Sequence, residues 1–222
     1  MKLSNETLVV LKNFSTINDG IKFRKGNKLS IVSPNKTVLA QANLTDEFPE
    51  DFCVYDLNQF LSVHSLSDKT ELSFDASNII FKGRSLIKFR KAAEGMIVAA
   101  PEKSIILPTV DVSFTLKEED YDYIIKTGKT LSSTHVAIQS NGDTIDIVTY
   151  DATNDGANDS NLKVGDGDGT KYKVVFDINN MKLIPGTYDV KISFGGIAQF
   201  KNTKDDIQYW IASESKYNTQ GE

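Results

Sequence analysis

The stretch Val54-Tyr55-Asp56-Leu57-Asn58 returns almost unchanged as Val175-Phe176-Asp177-Ile178-Asn179, 121 positions further along a chain of 222 residues. Its local physics is a strand running into a helix. β-Branched and aromatic side chains fit a pleated, half-buried surface. The Asp that follows accepts from the first free N–H groups of a helix, whose positive end favours its charge. Beyond the phrase, Phe60 and Leu61 follow Asn58 as Met181 and Leu183 follow Asn179. Leu72-Ser73-Phe74 then answers Ile192-Ser193-Phe194 at an offset of 120, and Phe81 answers Phe200 at 119. Two capped helices that merely shared a common signal would not carry their later landmarks at nearly the same distance. The pattern is that of an internal duplication.

Duplication predicts two domains of about 110 residues each, an ordinary domain size. Apolar residues make up 40% of the chain and charged ones 25%, so each half can bury a core. Outward from the repeated phrase, the expected division is 1–91, a connector at 92–108, and 109–222. The connector's Ala92-Ala93-Glu94-Gly95-Met96-Ile97-Val98-Ala99-Ala100-Pro101 has neither helical nor strand period. Met96, Ile97 and Val98 would be costly on a bare linker unless they pack on something.

In the first half, Leu8, Leu11 and Phe14 recur at helical spacing after Ser4-Asn5-Glu6-Thr7, with Asn5 and Lys12 on another face. Strands are expected at 21–25, 28–33 and 38–44, then an acidic loop at 46–51. A short helix through His64 follows, with further strands at 71–75, 79–82 and 85–90. In the second half, Val110, Val112, Phe114 and Leu116 alternate as a strand. Lys117-Glu118-Glu119-Asp120 then opens a helix that turns Tyr121, Ile124 and Ile125 inward and carries Lys126 and Lys129 in its last turn. Strands are expected at 135–140, 144–150, near 162–164 and at 171–178. A short helix at 179–183 stops at Pro185-Gly186, and strands at 187–193, 197–202 and 207–213 finish the chain. The fold class is α+β: two similar domains, each with two helices packed on antiparallel sheets.

Charge and chemistry exclude several functions. The chain is acidic overall at −5, with residues 1–108 at +2 and residues 109–222 at −7. A protein holding nucleic acid by bulk electrostatics would be basic. The one cysteine, Cys53, suits a reducing cytoplasm and rules out a disulfide framework. No long apolar run suggests a membrane span or secretory signal. Asp151-Ala152-Thr153-Asn154-Asp155-Gly156 begins like a calcium loop, but its twelfth position is Leu162 where Glu is needed. Gly165-Asp166-Gly167-Asp168-Gly169 leads into a strand, with no helix N-terminus to hold a phosphate. His64 and His135 stand in different halves with no ligand or nucleophile pattern around them. No metal, no cofactor and no catalytic residue is expected, and the chain does not read as an enzyme.

Three stretches, Met1-Lys2-Leu3-Ser4, Leu11-Lys12-Asn13-Phe14-Ser15-Thr16-Ile17-Asn18 and Tyr55-Asp56-Leu57-Asn58, resemble the sliding-clamp family of T4-like bacteriophages. So does Asn180-Met181-Lys182 with the following Pro185-Gly186 and Tyr188. The resemblance covers nearly the whole chain. It implies the DNA clamp fold, assembled as a homotrimeric ring with sheets outside and helices lining a hole. Its function would be that of a DNA polymerase processivity factor in the cytoplasm of the infected bacterial host. The implied partners are double-stranded DNA, held topologically, the C-terminal peptide of the replicative polymerase, and an ATP-dependent clamp loader. Transcription factors form a further class, and no membrane is involved.

The resemblance also nominates residues. Lys2, Lys12, Lys126, Lys129 and Lys182 would face DNA, although surface lysines are usually just solvated and Asp122 could pair with Lys126. Met96, Ile97, Val98 and Pro101, with Trp210, would wall a pocket for partner peptides. Leu86, Lys88 and Arg90 would meet Leu162 and Val164 of a neighbouring subunit. Arg84 and Lys91 on one side, with Asp159, Asp166 and Asp168 on the other, add a match of charge. The rival from another class is a β-rich phage structural or assembly protein that oligomerises without encircling DNA.

Overall fold

The computed structural model describes residues 1–66, 70–103, 105–154 and 156–221. The chain forms two compact units, Met1–Ser104 and Ile105–Glu222.

The first unit begins with helix α1 (Asn5–Ile17), entered through a cap in which the Ser4 hydroxyl accepts from Thr7 N at 3.2 Å. Thr7, Leu11, Phe14 and Ile17 are its buried stripe, while Leu8 is only half-buried. Strands β1 (Ile21–Phe23), β2 (Gly26–Val32), β3 (Val38–Phe48) and β4 (Phe52–Val54) follow, then helix α2 (Leu57–His64). β5 (Glu71–Phe74), β6 (Asn78–Lys82) and β7 (Leu86–Arg90) form a three-stranded antiparallel sheet in that order. β1 pairs with β4, and β2 with β3. Residues 46–48, expected in an acidic loop, instead extend β3. The Asp46 carboxylate accepts from Ser4 N at 2.7 Å, and Phe48 is buried against Phe23 with ring centroids 4.7 Å apart. A long-range bond and an aromatic contact, neither visible in a local window, override the acidic composition.

The core of this unit is a chain of phenylalanines. Phe23 stacks on Phe52 at 4.6 Å, and Phe60 of α2 meets Phe81 at 5.1 Å and Phe89 at 5.9 Å. Such tilted and edge-on pairs contribute beyond simple burial. They pin α2 to the β5–β7 sheet.

The second unit runs β8 (Val112–Leu116), α3 (Glu118–Thr130), β9 (His135–Asn141), β10 (Thr144–Tyr150), β11 (Ser160–Asp166) and β12 (Lys171–Asp177). A 3-10 turn (Ile178–Asn180) leads to β13 (Tyr188–Ser193), β14 (Ile197–Asn202) and β15 (Ile207–Ala212). A second such turn (Ser215–Tyr217) precedes a two-residue strand β16 (Thr219–Gln220). One sheet has the order β11-β10-β9-β12-β16, and the other strands run β15-β14-β13-β8. The stretch expected near 162–164 is thus a full strand. It is bulged at Val164, where Lys163 faces Asp146 and Gly165 faces Ile145.

The helix expected at 179–183 is a single 3-10 turn, so the described residues hold three α-helices. Only seven residues separate the cap Asp177 from Pro185, which lacks an N–H and pushes its predecessor to extended backbone, so a helix here has little room to grow past its first turn. The buried backbone left over is satisfied by tyrosines. Tyr121 Oη donates to Met181 O at 2.9 Å and accepts from Leu183 N at 3.2 Å. Tyr188 Oη donates to Ile184 O at 2.6 Å, and Tyr209 Oη accepts from Ile184 N at 3.3 Å. Burial pushes all three phenols well above their ordinary range, so they stay neutral and can donate.

The two units repeat one order of strand pairs, although β9 also pairs with β10 while β1 and β2 lie in separate sheets. β1–β4 corresponds to β9–β12, β2–β3 to β10–β11, and β5-β6-β7 to β13-β14-β15. The place of β8 beside β13 is taken in the first unit by Met1, which exchanges backbone bonds with Leu72. Leu57 N donates to Asp19 O as Ile178 N donates to Thr134 O. Ala92 N reaches Cys53 O at 2.9 Å as Glu214 N reaches Val175 O at 2.7 Å.

Candidate nucleic-acid interface and partner surfaces

The exposed face of α1 follows directly from its buried stripe: Asn5, Val9, Lys12 and Thr16 point away from the core. Helix α2 packs beside α1 and exposes Asn58, Gln59 and Ser62. Lys12 acts on His64 at the end of α2. Desolvation first, and the Lys12 charge second, hold that imidazole below its ordinary pKa.

Helix α3 lacks a capping side chain of its own, and the Thr187 hydroxyl accepts from Glu118 N at 3.3 Å instead. Glu118, Glu119 and Asp120 lie in the first turn and Lys129 in the last, in the sense the helix dipole favours. Tyr121, Ile124 and Gly128 are buried, whereas Ile125 is half-buried. Gly128 lets the helix approach its floor. A Cβ there would lie 2.6 Å from Ile178 Cδ1 and 3.1 Å from Thr149 Cγ2. The outward face holds Glu119, Asp122, Tyr123, Lys126 and Lys129.

Five ion pairs occur among the described residues, and none uses Lys12, Lys126 or Lys129. The Asp122–Lys126 pair that spacing allowed is not among them. Lys2 is exposed but lies 3.4 Å from Glu71. Lys182 is half-buried, follows the 3-10 turn and interacts with its own surroundings.

Two of the edge strands, β7 and β11, are the ones expected at a subunit interface. β7 closes one side of the three-stranded sheet, turning Ile87 and Phe89 inward and Leu86, Lys88 and Arg90 outward, with Leu86 61% exposed. β11 is an edge of the five-stranded sheet, with Leu162 and Val164 half-buried. Lys91, expected to face acids of a neighbour, is turned into its own unit instead. Its ammonium donates to Glu50 and to Asp75 O, and its side chain is 13% exposed. Asp166 is likewise paired, with Lys163 at 2.9 Å, which holds its carboxyl below the ordinary range. Asp168 is held down by its bonds to Thr170.

Met96 and Val98 are exposed, Ile97 is half-buried, and Pro101 is exposed. Trp210 is 3% exposed in β15, and its indole N–H has no partner among the described residues. The segment 151–156, read as a loop that does not bind calcium, includes Asp155, which lies outside the described residues. Among the rest, no group of three acidic, His or Cys side chains is arranged to hold a metal. No described helix is long and apolar enough to cross a membrane.

An α+β chain built from two copies of one helix-and-sheet unit has the architecture of a DNA clamp. Its fold is similar to that of the PCNA of A. fulgidus, solved with the C-terminal region of FEN-1. The TM-score is 0.67 and the identity 13%, over 93% of this chain and 94% of that one. The chain belongs to the sliding-clamp family of DNA polymerase processivity factors. Residues 4–89 match the DNA polymerase processivity factor family, and residues 113–215 match the gp45 sliding clamp C-terminal family. It is 35% identical to the sliding clamp of Enterobacteria phage T4 and 33% identical to that of Escherichia phage RB69. Each comparison spans 97% of both chains. Members of this family act in phage DNA replication inside the infected host cell and are not enzymes.

Proposed function

We propose that the chain closes into a homotrimeric ring around duplex DNA and tethers a replicative DNA polymerase to its template. The observation that carries this reading is the position of Lys12, Lys126 and Lys129. All three are on outward faces of α1 and α3, without an ion pair among the described residues, on an otherwise acidic protein. Each neutralised phosphate adds salt-dependent affinity, so dense phosphate contacts would immobilise a ring. A few lysines are enough to centre a duplex when closure, and not grip, retains it. Lys2 and Lys182 are weaker members of this set, since each already has neighbours of its own.

Closure uses the two sheet edges. Leu86, Lys88 and Arg90 of β7 meet Leu162 and Val164 of β11 in the next subunit, a head-to-tail contact that must close on itself. Residues 92–108 connect domains 1–91 and 109–222, a division supported by the boundary between the compact units, which falls inside that segment. Met96, Ile97, Val98 and Pro101 receive the C-terminal peptide of the polymerase, and transcription factors belong to the same class of partner. An ATP-dependent clamp loader opens and closes the ring, in the host cytoplasm.

The experiment compares loaded protein on nicked circular DNA before and after linearisation. Retention on the circle with escape from free ends is the expected result. Equal retention on both forms removes encirclement and favours an assembly protein. Replacing Lys12, Lys126 and Lys129 together by Ala is expected to weaken loading or sliding while the ring stays assembled. Unchanged loading and diffusion would take them out of the DNA-facing set.

A further inference from the structure

The segment between residues 92 and 103 is tied down on its own unit by charge. Lys22 Nζ in β1 donates to Glu94 Oε1 at 2.8 Å. Two residues on, just beyond β1, Arg24 Nη1 donates to Glu102 Oε1 at 2.6 Å, and Arg24 also reaches Ala100 O at 3.4 Å. The cationic seats are sheltered and the anions are not. Lys22 and Arg24 are 15% and 30% exposed, while Glu94 and Glu102 are 64% and 76% exposed. Between the two pairs, Ile97 lies on Gly20, where a Cβ would sit 2.8 Å from Ile97 Cγ2. Ala100 is buried, and the bridge from Ala92 to Cys53 fixes the start of the segment. Hollows of about 550 Å³ and 350 Å³ flank it, the first lined by Lys22 and Glu94, the second by Arg24 and Glu102.

From this geometry we infer that residues 92–103 are an electrostatically latched strap. The pairs Lys22–Glu94 and Arg24–Glu102 hold Ile97 against Gly20 and regulate access to the partner pocket. The regulatory half of this inference rests on the partner pocket proposed above. Each pair joins a sheltered cation to an exposed surface carboxylate, so each is weak and screened by salt. A latch of that kind opens readily without unfolding the sheet beneath it. In the latched state Ile97 is turned onto its own unit, so a partner that uses it must first release the strap.

The test uses the full chain with Glu94→Gln and Glu102→Gln combined. Both side chains are exposed, so folding is not at risk. Hydrogen exchange at amides 94–100, 102 and 103 is expected to accelerate about three- to tenfold at low salt, the size that two exposed pairs allow, with β5 and β6 unchanged. Wild type is expected to approach the same rate at high salt. Arg24→Gln, which attacks the latch from the sheet side, is expected to act in the same direction. Unchanged exchange in both variants overturns the latch. Affinity for a peptide copying the C-terminal tail of the cognate polymerase is measured on the same proteins. It is expected to tighten by up to the same factor. Peptide binding that is equal in wild type and variants, despite faster exchange, overturns the regulation. If even wild type does not bind the peptide while exchange responds as expected, the latch is upheld and the partner pocket is what fails.

Discussion

The repeated phrase leads to different structures in the two units. After Asp56 the chain makes the eight-residue helix α2, and after Asp177 it makes one 3-10 turn. The caps themselves differ. Asp56 Oδ1 accepts from Gln59 N, three residues on, as a helix requires, whereas Asp177 Oδ1 accepts from Asn179 N, two residues on, as an Asx turn does. The strands that enter the caps differ too. Cys53 and Val175 hold equivalent positions, each accepting from the chain just beyond the equivalent strands β7 and β15. Val54 therefore corresponds to Phe176, both fully buried, and Tyr55 is an added residue, 60% exposed. A duplicated core tolerates an extra residue at a strand end and a truncated helix, provided the backbone left over finds partners. In the second unit those partners are the tyrosine hydroxyls.

The largest test of this contrast removes one hydroxyl. Tyr121→Phe leaves Met181 O and Leu183 N buried without their partner and is expected to cost about 1–3 kcal/mol in denaturant unfolding. Tyr172→Phe is the control. The Tyr172 hydroxyl is buried with no partner among the described residues, and burial pushes it up to about 12, so its removal is expected to be neutral or mildly stabilising. Equal losses in the two variants would mean the hydroxyl bridge is not what holds the segment. A smaller effect separates the caps. Asp56→Ala is expected to cost about 1 kcal/mol, the usual value for a lost helix cap, and Asp177→Ala measurably less, because no helix depends on it. The reverse order would count against the assignment of Asp177 to a turn.

The smallest effect is one of pH and belongs to the first unit alone. His64 has its pKa lowered by burial and by Lys12, so the unfolded chain takes up its proton first as pH falls. The stability it contributes is complete above the unfolded value of about 6.5, and is lost as pH falls through that value toward the folded one. Thermal unfolding followed between pH 7.5 and 5.5 is expected to show a shallow decline that His64→Gln flattens.

Much of the fold was legible because it rests on local pattern. The alternation of Ile145, Ile147 and Thr149, the cap at Ser4 and the spacing of Leu11 and Phe14 each fix an element without distant help. Lys12, Lys126 and Lys129 were legible as exposed because the buried stripes of their helices were. Lys91 was not, since nothing local foretells that its ammonium meets Glu50 and Asp75 O. The ties from Lys22 and Arg24 to Glu94 and Glu102 span more than seventy residues and left no mark on composition or period.

The sequence by itself determined that one module is used twice, along which side of α1 and α3 the core stripe runs, and that the chain is too acidic to hold DNA by charge alone. Periodicity and repetition are properties of the chain, and burial follows from them. Only the tertiary structure decided that β3 continues through Asp46, that the second copy of the phrase stops after one turn, and that the connector is strapped down. The extension of β3 and the strapped connector each depend on bonds between residues distant in sequence, and the short turn that Pro185 cuts off is held by the distant Tyr121 hydroxyl; none of that energy exists until the fold has brought the groups together.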